Sequence, residues 1–149
     1  MEKKFFKKIP KCSPEALMNI VADVETYGEF VPLCKEVRII ENLECDESKR
    51  KFKASIFIEY KIFKESFVSE VIIDKQNHRI IIKSNDNPFK DLYSEWTFEQ
   101  FEDDCVVTFF VKVSFRSFMI EKIISLSFDR IAKKVISAFE GRVFDEKLI

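Results

Sequence analysis

Few side chains in this chain could do chemistry, and they are scattered. His78 is the only histidine, and it stands in the polar stretch KQNHR. A catalytic base there would need an orienting carboxylate and a nearby nucleophile, so the residue reads as a solvent-exposed turn. Cys12, Cys34, Cys45 and Cys105 form no CxxC pair and have no histidine beside them. No zinc constellation follows from them, and they read as reduced, mostly buried thiols. A Ser-His-Asp triad would have to recruit His78 across the fold. With only two glycines, Gly28 and Gly141, no phosphate-cradling loop is available. The expectation is a protein without catalysis and without a metal or resident cofactor.

One polar residue stands out against that background. Glu65 shares strand parity with Phe63, Phe67, Val71 and Ile73, so it points to the side of the rings. A carboxylate there must be paired, neutralised or near water. Either a bulge turns it outward, or it is the polar end of an internal cavity. Trp96 is likewise core or cavity wall.

The elements that must position these residues follow from periodicity. Lys3 to Ile9 forms a first strand. Ser13-Pro14-Glu15 opens a helix with Ser13 as N-cap and Pro14 at the first position, and Leu17, Ile20, Val21 and Val24 form its apolar face. Gly28 and Pro32 interrupt it within DVETYGEFVPLC, where Gly28 is expected to take a positive φ. From Lys35 the pattern alternates with period two. Strands carrying Val37 and Ile39, then Phe52 to Ile58, then Phe63 to Ile73, then Ile80 and Ile82, then Leu92 to Phe98, then Cys105 to Phe115 are separated by polar turns, the first of them NLECDESKR. From Phe118 to Arg142 apolar residues recur every three or four positions, as in one long amphipathic helix of about seven turns that Gly141 is placed to end. The order is that of an α+β fold in which a curved antiparallel sheet of about seven strands wraps a long C-terminal helix, all in one domain spanning 1–149.

Composition narrows the partners. Twenty-five basic and 26 acidic residues leave a net charge of −1, which offers no field for DNA. Seventeen phenylalanines suit a solid core or a hollow lipophilic one. No window reaches the apolar length of a membrane span and the N-terminus is too charged for a signal peptide. A soluble, cytoplasmic protein is expected, with peripheral membrane contact left open.

Three segments together resemble one family. DVETYGEFVPLC is similar to the D-V-E-x-Y-x-x-F-x-P-x-C segment of the coenzyme Q-binding START-like family. Lys64-Glu65-Ser66-Phe67 resembles its R/K-E-S-F strand, and NPFKDLYSEWTFE its G-P-F-x-x-L-x-x-x-W-x-F hairpin, with Asn87 in place of the usual glycine. Phe128-Asp129-Arg130-Ile131-Ala132 falls where that family's C-terminal helix does. The resemblance implies a helix-grip fold with two short helices after the first strand. It also implies a cavity for a lipophilic ligand, typically a polyprenyl quinone such as ubiquinone, chaperoned toward the respiratory chain without turnover.

On that fold Tyr27, Phe30, Pro32 and Leu33 are candidate lid and rim residues. Phe52, Phe63, Glu65, Phe67 and Trp96 are candidates on the earlier strands. Phe109, Phe115, Phe128, Ile131 and Val135 complete the candidate ligand-binding set. Phe118, Met119, Ile120 and Ile123, flanked by Arg116 and Lys122, either lie on anionic lipid or pack onto the sheet. Two other readings follow from relatives of the same fold. One is ribosome association that blocks subunit joining, as for a bacterial member. The other is a cyclase-type enzyme using Glu65, Tyr60 or Tyr93.

Overall fold

The computed structural model describes residues 1–147; the expected domain boundary at 149 lies outside them. The chain forms β1 (Glu2–Ile9), α1 (Pro14–Ala22), a 3-10 turn (Val24–Glu29), six further strands and two helices. The strands are β2 (Cys34–Cys45), β3 (Lys49–Tyr60), β4 (Phe63–Asp74), β5 (Arg79–Ser84), β6 (Phe89–Phe101) and β7 (Asp104–Phe115). The helices are α2 (Phe118–Ser125) and α3 (Phe128–Lys147). All seven strands make one antiparallel sheet in the order β1-β7-β6-β5-β4-β3-β2. This is a helix-grip arrangement, as the alternation and the C-terminal periodicity predict.

Local chemistry explains the first turn of chain. The Ser13 hydroxyl accepts a hydrogen bond from the Ala16 amide at 3.1 Å, satisfying one of the orphan donors at the start of α1. Leu17, Met18, Ile20 and Val21 then bury one face of that helix. Along β3 to β7 the inward residues alternate with outward polar ones, so that Phe52 faces Val71, Ile80 faces Trp96 and Trp96 faces Phe109 across adjacent strands. Ala132, Ile136, Phe139 and Val143, spaced by four, three and four, are buried on α3 and press onto those rings. Phe139 lies 5.1 Å from Trp96 and 5.2 Å from Tyr27, centroid to centroid, in edge-to-face contact. Such pairs add about 0.5–1.5 kcal/mol beyond the area they bury.

Three expectations from sequence are corrected. The C-terminal helix is two helices, broken at Leu126 and Ser127. Ser127 is buried there and its hydroxyl accepts from Arg130 at 3.2 Å. The backbone turns once at the break, with Ser127 donating to the Ile124 carbonyl, so the apolar spacing passes through it unbroken. Gly141 lies inside α3 and terminates nothing. Gly28 has no positive φ; Leu33 takes the left-handed conformation instead, at 72°. Gly28 is small for another reason: a Cβ there would stand 2.4 Å from the Lys35 carbonyl oxygen.

Two smaller differences concern the turns. β2 and β3 run into NLECDESKR and leave only Asp46, Glu47 and Ser48 between them, with three register shifts along the pair. His78 is not simply solvated: its Nε2 lies 3.1 Å from the Glu15 carboxylate, joining the β4–β5 turn to α1. Of the thiols, Cys105 is buried, Cys34 half-buried and Cys45 exposed. Burial pushes Cys34 and Cys105 up to about 11.

Candidate ligand cavity

Where the helix breaks, the sheet and the helices part. The break swings α2 across the end of the half-barrel and leaves a cavity of about 190 Å³ beneath it. Leu33, Ile58, Tyr60, Phe63 and Glu65 line one side. Pro88, Phe89, Leu92, Val111, Val113 and Phe115 line the sheet floor, and Ile120, Ile124, Phe128 and Ile131 cover it from the helices. The wall is almost wholly carbon. Surface hollows of larger volume exist, such as one of about 640 Å³ bounded by Met1, Glu2, Lys3 and Arg130. That depression is mixed in polarity, whereas its apolar lining marks the smaller, half-open cavity as the candidate ligand site.

Among the residues lining it, Glu65 and Tyr60 are the two with polar side chains, and the surface facing the cavity is nonetheless carbon. Glu65 pairs across strands with Ile58, and Tyr60 with Phe63; strand alternation therefore sends all four to the same face. The Glu65 side chain is half-buried and, among the described residues, makes no hydrogen bond or ion pair. The Tyr60 hydroxyl lies against Ser127, Lys61 and Arg130, which together hold its pKa below the ordinary phenol value, Ser127 contributing most. No contact there reaches hydrogen-bonding geometry, so this buried oxygen has no formed bond. The cavity is apolar throughout, with Glu65 and Tyr60 beside it on the β3–β4 hairpin.

The candidate residues from sequence divide between this cavity and the solid core beside it. Leu33, Phe63, Glu65, Phe115, Phe128 and Ile131 all line the cavity. Phe67 sits just behind it, edge-on to Phe89 at 4.7 Å. Tyr27, Phe52, Trp96 and Phe109 are core residues, and Val135 packs against them. Tyr27 donates its hydroxyl to the Val21 carbonyl, and burial drives its pKa far up. Phe30 packs on Phe139 at 5.2 Å with the Arg142 guanidinium 4.9 Å over its ring. Pro32, half-buried, is outside the lining. The reason is depth: α3 fills the half-barrel at its Trp96 end, and only the end under α2 stays hollow.

Several wall residues were not among those candidates. Ile58, Leu92, Val111 and Val113 obey the same alternation as their neighbours, so parity carried that signal. Tyr60, Pro88, Phe89, Ile120 and Ile124 sit at strand ends, a turn and a short helix, where parity is silent.

A curved sheet gripping helices around an apolar cavity defines a helix-grip type of protein. A family model described as polyketide cyclase / dehydrase and lipid transport matches residues 11–140, and the chain belongs to that family. It is 29% identical to the ribosome association toxin RatA of Rickettsia prowazekii, over 91% of each chain. It is 28% identical to the mitochondrial coenzyme Q-binding protein COQ10 homolog B of Xenopus laevis, covering 92% of this chain but 57% of that one. Among solved structures, a START superfamily protein from Mycobacterium smegmatis superposes with a TM-score of 0.74 at 19% identity, over 99% of both chains. That last likeness speaks to the fold alone. Among the described residues no helix is long and apolar enough to cross a membrane.

Proposed function

We propose that the chain binds a lipophilic molecule with a small ring-shaped head and a long apolar tail, of which a polyprenyl quinone is the leading case. It holds and presents that molecule without changing it. The observation that carries this reading is the half-open, almost wholly carbon-lined cavity beneath α2. Burying an apolar ligand there contributes about 25 cal/mol per Å² removed from water, with no charged partner required. At about 190 Å³ the space is smaller than the roughly 300–1,000 Å³ of a drug-sized site. It takes a head group or a tail segment, and the remainder emerges.

The mouth supports a bilayer as the place of exchange. Ile62 at the β3–β4 tip is 88% exposed, and Phe118, Met119 and Leu126 around α2 are 79%, 71% and 85% exposed. Exposed Lys61, Lys64, Arg116 and Lys122 stand among them in sequence. A rim of apolar side chains with interspersed cations fits the interface of an anionic membrane. Native mass spectrometry and organic extraction of protein purified from a quinone-producing host test the binding. Co-purified quinone, or saturable uptake of added quinone, is expected; the absence of both overturns the reading.

A second reading rests on the RatA relative, to which the chain is 29% identical over 138 residues. Ribosome association would then be the activity. Sucrose-gradient sedimentation of lysates with and without overexpression decides it: a rise in free subunits supports this reading, and unchanged profiles dispose of it.

A further inference from the structure

We infer that the cavity beneath α2 holds a short length of its ligand's hydrocarbon chain and leaves the head outside, so that the protein selects the chain and is indifferent to the ring attached to it. The inference rests on the lipophilic-ligand reading above and names which part of that ligand the site takes.

A quinone ring carries two carbonyl oxygens that water satisfies outside, and inside the cavity nothing replaces the water. The surface facing the cavity is carbon, although Glu65 and Tyr60 stand in its lining. Backbone donors of the lining residues are engaged already. The Phe89 amide donates to the Asp86 carbonyl at 2.9 Å, the Ile131 amide to the Ser127 carbonyl at 2.9 Å and the Val113 amide to the Met1 carbonyl at 2.8 Å. The Ile120 amide donates to the Ser117 hydroxyl at 3.3 Å, and Pro88 has no N–H to give. Each buried carbonyl left without a donor weakens binding by about fivefold or more. A prenyl chain has no such oxygen, and every methylene it buries strengthens binding by about fourfold.

Size points the same way. An apolar cavity of roughly 150 Å³ takes one benzene ring, and this one is about 190 Å³. A dimethoxy-methyl-benzoquinone head has about twice the heavy atoms of benzene and exceeds that room, whereas about one to two five-carbon units of chain fill it. Toward Trp96 the half-barrel is packed: that ring meets Phe109 at 4.4 Å and Phe139 at 5.1 Å, centroid to centroid. A longer tail therefore gains nothing by threading deeper. Such a site takes prenyl quinones, prenyl alcohols and other chain lipids alike, and the choice among them falls to the membrane or partner that meets the protruding head.

Isothermal titration with four probes tests this. They are dimethoxy-methyl-benzoquinone without a tail, the same ring with a geranyl tail, the same ring with a geranylgeranyl tail, and 2,6-dimethylocta-2,6-diene, which is the geranyl chain without a ring. The tail-less ring is expected to bind at least about tenfold more weakly than the geranyl quinone. The ring-free hydrocarbon and the geranylgeranyl quinone are each expected to bind within about threefold of it. A smaller gap for the tail-less ring, a larger loss for the hydrocarbon or a larger gain for the longer tail overturns the inference while leaving lipophilic binding intact. Ile120→Trp, which fills the cavity, is expected to weaken hydrocarbon binding by about tenfold or more; a smaller loss places the chain elsewhere and overturns the inference as well. Failure of all four probes to bind overturns the lipophilic-ligand reading, and this inference with it.

Discussion

Ile58 and Glu65 are direct cross-strand partners on β3 and β4, and both side chains enter the same cavity wall. One strand delivers a branched aliphatic chain and its neighbour a carboxylate to the same face. The remainder of that face is apolar, and the packed core closes it off behind.

Filling the cavity should separate binding from folding. Ile120 on α2 is half-buried and lines the space, so Ile120→Trp places an indole where the ligand would lie. Quinone affinity is expected to fall by about tenfold or more, since the site is already small for a drug-sized molecule. Overpacking costs about 1–3 kcal/mol, so thermal denaturation should still show a cooperative transition.

Phe139 should behave in the opposite way. It is 2% exposed and meets Tyr27, Phe30 and Trp96, all outside the cavity lining. Phe139→Ala is expected to cost about 3–5 kcal/mol of stability, read from urea denaturation. A double-mutant cycle with Phe30→Ala should return a coupling of about 0.5–1.5 kcal/mol. Additive losses would mean that Phe30 packs elsewhere.

The exposed rim is tested by charge. Ile62→Asp and Leu126→Asp alter side chains with almost no packing to lose, at 88% and 85% exposure. Stability should change by less than about 0.5 kcal/mol. Flotation with vesicles containing phosphatidylserine should drop sharply for each variant, and high salt should weaken the wild type as screening predicts. Unaltered flotation would remove this surface from the membrane reading.

Acid stability should report on Asp74 at the end of β4. Its carboxylate accepts from the Asn77 side-chain and backbone amides at 2.9 and 3.2 Å, with Arg79 at 3.7 Å. The Asn77 side-chain bond leads in holding its pKa below the usual carboxylate range. A depressed folded-state pKa means that the stabilisation is present above the unfolded value of about 3.9 and is lost as pH falls through the lower folded value. Asp74→Asn should therefore lower Tm at pH 6, and the gap to wild type should close as the pH drops below that range. A gap that stays constant would show that the charge contributes nothing.

Much of this protein was determined by its sequence. Period-two alternation from Val37 to Phe115 marks six of the seven strands in order, because a sheet with one buried face must alternate. Ser13 and Pro14 announced α1 through rules that need no distant contact. Glu65 was conspicuous because its parity conflicted with its charge. Tertiary structure decided where filling stops. Trp96 and Phe109 on strands and Phe128 on a helix are all aromatic residues at apolar positions of their elements. Only the path of α3 makes the first two core, and only the break at Leu126–Ser127 leaves Phe128 beside a hollow. A sequence pattern records which face is apolar, but it does not record the distance between two apolar faces. That distance is set by the helix axes, and it separates a packed core from a cavity.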